Sequence, residues 1–128
     1  MKIGRFLSDT CGTAAIEFAI LSTVFFALIL GILEGGYILY LDLGIQHATE
    51  MAARCASVNT TTCSDATSIK NYAVTQAYGI SPPATAFTYS STAACGNQVS
   101  ASYSYSFLGP YFWGSSAVTL TGSSCFPK

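Results

Sequence analysis

Gly12-Thr13-Ala14-Ala15-Ile16-Glu17-Phe18 opens an apolar run that continues from Ala19 to Leu33. Thr13 to Leu33 comprises 21 residues, and Glu17 is the only charge among them. A helix of about 20 apolar residues crosses the hydrocarbon core of a bilayer, so this run is long enough to span. A carboxylate at the centre of such a segment costs about 2.5–3.5 kcal/mol on insertion scales and marks function by default. Glu17 lies near one end of the run, where an interfacial position lowers that cost. Its presence still requires a reason.

Working outward, Met1 to Gly12 forms a short leader with Lys2 and Arg5 against one acid, Asp9. The excess of positive charge places this end in the cytoplasm and the long C-terminal part outside. An ordinary secretory signal has an apolar core of about 7–15 residues closed by a small-residue cleavage site. Here the run is longer and no such site closes it. A lipoprotein signal is also excluded, because Cys11 precedes the apolar core and lacks an apolar, small-residue approach. An uncleaved signal anchor is the plain alternative.

On the other side of the run, Ile38, Leu41, Ile45, Ala48, Met51, Ala52 and Cys55 recur at spacings of three and four, the period of one helical face. Asp42, Gln46, Glu50 and Arg54 share another face, with Glu50 and Arg54 in the favourable order for an i,i+4 pair. One helix from Thr13 to Val58 is therefore expected, 46 residues, or about 69 Å at 1.5 Å per residue. Gly31, Gly35 and Gly36 interrupt it near the membrane exit. Each would cost about 1 kcal/mol relative to Ala in a soluble helix, whereas Gly31-xxx-Gly35 in a membrane lets a second helix approach closely. Glu34 is a second acid at the membrane boundary.

These features together resemble a known family. A glycine followed by four residues and then Glu-Phe, after a short basic leader and before a spanning helix, resembles the cleavage site of a type IV prepilin. Gly31-Ile32-Leu33-Glu34-Gly35-Gly36-Tyr37, followed by the small-residue stretch Ala48 to Ala56, is similar to TadE/TadF-like minor pilins, or pseudopilins, of tight-adherence (Flp) systems. Gly35 departs from that pattern, which more usually has a bulky or aromatic residue there. The resemblance covers Gly12 to about Ala56 well and the strand pattern after Val99 loosely. It implies cleavage after Gly12 by a prepilin peptidase, Thr13 as the new N-terminus, and Glu17 as the fifth residue of the mature chain. It implies assembly roles for Glu17, Phe18 and Glu34, helix packing at Gly31 and Gly35, and partners among other pilin subunits and an inner-membrane assembly platform. It also places the chain in the bacterial inner membrane before assembly, with its head in the periplasm or at the cell surface.

The remainder reads as a small external head, so the expected organisation is a leader at 1–12, a long helix at 13–58 and an α+β head at 59–128. Asn59 to Ser64 is a polar loop, and Ser64 or Asp65 can cap a short helix running to about Tyr78. Gly79 and Pro82-Pro83 end it. Ala86 to Tyr89 is one candidate strand. Val99, Ala101, Tyr103, Tyr105 and Phe107 alternate with Ser100, Ser102, Ser104 and Ser106, a period of two with one apolar and one wet face. Gly109-Pro110 and Gly114-Ser115-Ser116 mark turns around Tyr111-Phe112-Trp113, and Ala117 to Thr121 is the partner strand. The fold class is α+β, a long N-terminal helix with a small antiparallel sheet whose apolar face lies on the helix's outer half.

Cys55, Cys63, Cys95 and Cys125 lie beyond the membrane segment, and Cys11 lies before it, where it would leave with the leader. Four external cysteines allow three pairings. A hairpin turning near residue 110 would bring Cys95 opposite Cys125, leaving Cys55–Cys63 as a short staple. The competing idea is zinc, but the spacings of 8, 32 and 30 contain no C-x-x-C knuckle. No cofactor is expected.

Composition limits function further. The chain of 128 residues is 51% hydrophobic and only 9% charged, with a net charge of −1. That leaves no basic patch for nucleic acid. His47 is the only histidine and reads as a polar helix-face residue. Glu17 and Glu34 stand 17 positions apart, about 25 Å along a helix, so they cannot act together within one subunit. There is no phosphate loop or metal-binding helix motif, and no enzymatic activity is expected. The expected function is a pilin subunit assembled into, or priming, a pilus for surface adherence. Two alternatives stand beside it: a single-pass, membrane-anchored binding protein that is never processed, and an adhesive head displaying Tyr103, Tyr105, Tyr111, Phe112 and Trp113.

Overall fold

Five elements and one short 3-10 turn account for the regular structure in a computed structural model that describes residues 11–106 and 117–128, the Cys11 side chain excepted. The leader residues 1–10, Phe107, and the Tyr111-Phe112-Trp113 turn with its flanking glycines lie outside the described residues. Helix α1 runs Cys11–Val58, helix α2 Ala66–Gln76, and strands β1, β2 and β3 Phe87–Ala93, Gly96–Ser106 and Ala117–Phe126. A long apolar N-terminal helix followed by a three-stranded antiparallel sheet makes the chain α+β. By packing, it divides after Gly36 into two units, the second being Tyr37–Lys128.

In the second unit, the α1 residues at three- and four-residue spacing become core. Leu41, Ile45, Ala48, Ala52 and Ala53 are buried, and most of them join Ile69, Ala73 and Ala77 of α2 and Phe87, Val99 and Ala101 of the sheet. The small α1 residues let the sheet approach closely. At Gly122 of β3 a Cβ would sit 3.3 Å from both Ile45 Cγ2 and Thr49 Oγ1, so glycine is what fits there.

Helix α2 begins with a reciprocal capping box. The Ser68 amide donates to Asp65 Oδ1 at 2.7 Å, and the Asp65 amide donates to Ser68 Oγ at 3.0 Å. These satisfy two backbone donors that the first turn would otherwise leave open. Of the two candidate caps, Ser64 and Asp65, the structure uses Asp65. The helix stops at Gln76, and Gly79 turns the chain with φ +68°, a conformation that glycine adopts without a Cβ clash.

The sheet is a meander of order β1-β2-β3, with Val99 opposite Tyr89 and Ser124, and Tyr103 opposite Leu120. Its strands are longer than the sequence pattern indicates. β1 continues to Ala93 through a register shift after Ser90, β2 starts at Gly96, and β3 reaches Phe126. The period of two sorts the faces as read from the sequence. Phe87, Val99, Ala101 and Leu120 are buried on one face. On the other, Thr88 donates to the Ser100 carbonyl at 3.3 Å, and Gln98 Nε2 donates to Ser123 Oγ at 3.1 Å. Tyr103 packs against the core and is half-buried.

Two disulfides close this unit. Cys55 is bonded to Cys63 and Cys95 to Cys125, with Cα–Cα distances of 5.9 and 6.1 Å. A buried polar tie adds to them. Asn97 on β2 accepts from the Tyr89 hydroxyl at 2.7 Å and donates through Nδ2 to Ser57 Oγ at 3.1 Å and the Ala56 carbonyl at 3.4 Å. The end of α1 is thereby joined to the start of the central strand, β2.

Candidate functional site

The candidate site is the apolar part of α1, because its residues have little to do inside the chain. Ile16, Phe18, Ile20, Leu21, Val24, Phe25, Phe26, Leu28, Leu30, Ile32 and Leu33 are all exposed. Soluble proteins rarely leave contiguous apolar surface of this extent in water. This helix is the one element, among the described residues, long and apolar enough to cross a membrane, and the segment that qualifies contributes nothing to the interior. A long apolar N-terminal helix of this kind suggests membrane anchoring.

Its few polar side chains are handled locally. Ser22 donates to the Ala19 carbonyl at 3.0 Å, and Thr23 to the Ile20 carbonyl at 2.7 Å. Hydroxyls bonded back onto the preceding turn are satisfied without water, so neither impedes entry into an apolar medium. Sequence reading passed over both residues. Their positions, on the preceding turn's carbonyls within an apolar run, were the available signal.

Glu17 has no such local solution in its chemistry. It projects from the exposed apolar surface beside Phe18, one turn after Thr13. Glu34 is half-buried. At Gly12, Gly31, Gly35 and Gly36 a Cβ would meet nothing within 4 Å. Among the described residues no packing requires glycine at these positions, in contrast to Gly122. The two acids stand 17 positions apart on the same helix.

The other sequence-singled residues belong to the second unit. Gln46 Nε2 donates to Asp42 Oδ2 at 2.8 Å, which holds together part of the polar stripe of α1. His47 is half-buried and stacks on Tyr78, ring centroids 5.1 Å apart, with Nε2 buried and without a partner. A groove of about 340 Å³ lies between α1 and β3, lined by Gln46, Thr49, Glu50, Thr121, Ser123 and Ser124 among others. Its lining is hydroxyls and one amide, with Glu50 as the single carboxylate. Among the described residues no cluster of His, Cys, Asp and Glu is arranged to hold a metal ion, and Cys55, Cys63, Cys95 and Cys125 are taken up by the two disulfides.

Compared with known proteins, residues 12–54 match the family model described as TadE-like protein. The match begins at Gly12 and ends within the amphipathic continuation of α1, so it covers both the apolar helix and its acids. It is consistent with a TadE-like, pilin-type protein and suggests one associated with a Tad pilus, whose family is structural rather than enzymatic. No curated protein and no solved structure matches the chain.

Proposed function

We propose that this chain, TadE-like over residues 12–54, is a minor pilin or pseudopilin that enters or primes a Tad-type pilus for surface adherence. A prepilin peptidase cuts after Gly12, and Thr13 becomes the N-terminus. The chain then stands in the bacterial inner membrane with its head outside, and an inner-membrane assembly platform passes it to neighbouring subunits. It catalyses nothing itself.

The observation that carries this reading is a lone carboxylate on a fully exposed apolar helix, within the TadE-like match. A carboxylate packed into an apolar bundle without a partner is expensive. The amine freed at Thr13 of a neighbouring subunit is a partner that only the correct register supplies. Glu17 thereby sets docking, and Phe18 packs beside it. Gly31 and Gly35 form a surface that another helix can approach closely, with open space above each of them. Glu34 contributes a contact at the head side of that surface.

The test begins with the intact mass and N-terminal sequence of protein taken from native membranes and from sheared surface material. The expected chain starts at Thr13 and has lost four thiol hydrogens. A chain that retains Met1 supports the membrane-anchored binding protein instead. Glu17→Ala is expected to be processed normally and to fail incorporation into surface fibres. Normal incorporation of that variant would remove Glu17 from the mechanism.

A further inference from the structure

Strand β3 is one edge of the sheet, and among the described residues its strand partner is β2 alone. Beyond that pairing, no backbone hydrogen bond joins Ala117–Phe126 to another described residue. The opposite edge, β1, is seven residues long and broken by a register shift between Ser90 and Ala93. β3 runs for ten residues without a register shift, a charged residue or a proline. Natural edges are usually blunted by such features, because open N–H and C=O groups pair with any extended chain that reaches them. The groove of about 340 Å³ beside α1 lies on this edge, and four consecutive strand residues line it, Thr121, Gly122, Ser123 and Ser124. Side chains alternate between the two faces of a strand, so a wall built from all four presents the backbone edge itself. Facing it on α1 are Gln46, Thr49 and Glu50, whose spacing of three and four puts them on one side of the helix. Gln46 and Glu50 are exposed.

We propose that this groove binds an extended peptide segment of another protein, which adds to β3 as a fourth strand and sets a lysine or arginine against Glu50. In strand addition the main-chain bonds to the open edge give affinity, and side-chain contacts give selectivity. A volume of about 340 Å³ is at the small end of ligand sites, about 300–1,000 Å³, and suits a few residues of extended chain. Charge selects the occupant. Glu50 is the one ionisable residue in the lining and no cation accompanies it, while Asp42, bonded to Gln46, extends the acidic stripe along α1. A second copy of β3 offers no cation to this wall, because Ala117–Phe126 is uncharged. The hydroxyls of Thr121 and Ser123 favour hydroxylated or β-branched residues opposite them. The site belongs to the second unit by itself and depends on neither processing after Gly12 nor anchoring of α1.

The test uses the full chain in detergent micelles, with both disulfides verified by intact mass. The probe is fluorescently labelled acetyl-Thr-Val-Thr-Lys-Thr-Val-Thr-amide, followed by anisotropy against empty micelles, with hydrogen exchange of β3 measured in parallel. Saturable binding is expected, with exchange slowed at Thr121 to Ser124. Of the two alternating sets of peptide nitrogens, methylating the set that donates to β3 should weaken binding about tenfold or more, and methylating the other should matter little. Glu50→Gln, on an exposed helix face, should keep the melting temperature and weaken binding about two- to fivefold, the scale of an exposed ion pair. A peptide with glutamate in place of lysine should bind more weakly still. Failure of the lysine peptide to bind overturns the proposal, as does equal binding of the lysine and glutamate peptides. Tolerance of both methylated forms overturns strand addition. Protection of Thr121 to Ser124 that appears without peptide and grows with protein concentration assigns the edge to a second copy and also overturns it.

Discussion

The two units of this chain treat the same kinds of residue in opposite ways. The second unit buries an apolar core, and the buried polar atoms of Asn97 have partners. In the first, Phe18, Leu21, Phe25 and Leu28 face outward and are covered by none of the described residues. The glycines differ likewise, since Gly122 lies against Ile45 and Thr49, whereas Gly31 and Gly35 stand in open space. One part of the sequence is written for contacts within the molecule, the other for a surrounding of lipid or neighbouring helices. The same substitution should therefore be read differently in the two places.

The largest expected effect lies in the second unit and does not reach the first. Its core is small and rich in alanine, so the cross-links carry a large share of its stability. Cys95–Cys125 encloses 30 positions of chain, and removing such a bond destabilises by about 2–4 kcal/mol. The paired variant Cys95→Ser/Cys125→Ser is expected to lower the denaturant midpoint of the head, followed by near-ultraviolet circular dichroism in detergent micelles. Retention of α1 helicity in the same samples would confirm that the two units respond separately. A parallel loss of helicity before residue 37 would break the contrast.

Paired glycine substitutions sharpen it. Gly122→Ala forces a methyl group to within 3.3 Å of Ile45 Cγ2 and Thr49 Oγ1, and overpacking of this kind costs about 1–3 kcal/mol. Gly35→Ala meets nothing and favours the helix by up to about 1 kcal/mol. The first should lower thermal stability in detergent and spare helix association. The second should leave the stability of the head unchanged and weaken association of full-length chains, read by energy transfer between labelled copies in vesicles. Unchanged association would show that the open glycines have no role in close helix approach.

The contrast also explains what the sequence made legible. The apolar run, its lone Glu17 and the TadE-like pattern are local in sequence, and the family match at residues 12–54 falls on them. The α+β class followed from two periods, three to four along α1 and two along β2, each decided by burial on one face. The boundaries were harder. β1 and β3 run past their apolar alternation because pairing with β2, and not side-chain pattern, extends them to Ala93 and Phe126. Asn97 gave no signal, because its partners Ser57 and Tyr89 are 40 and 8 residues away. The stacking of His47 on Tyr78 joins α1 to the turn after α2, which no local periodicity encodes.

The smallest effect concerns pH and is confined to the second unit. The Ser68 amide bonded to the Asp65 carboxylate holds its pKa below the usual aspartate value, outweighing the opposing effect of desolvation with further help from the Ser68 hydroxyl and the Thr67 amide. A carboxyl whose folded pKa is depressed binds protons less readily than it does in the unfolded chain. It therefore contributes stability that is fully present above the unfolded value, about 3.9 for aspartate, and is lost as pH falls through the lower folded value. Asp65 is fully exposed, so solvent and salt weaken the effect. Comparing the wild type with Asp65→Asn, which keeps a capping oxygen but cannot ionise, isolates the charge. The stability difference between them is expected to be small and favourable to aspartate near neutral pH. It should shrink as pH falls below about 4, while differences due to Gly122 and the disulfides persist. A difference that stays constant across that range would mean that the cap acts through geometry alone, with no help from its charge.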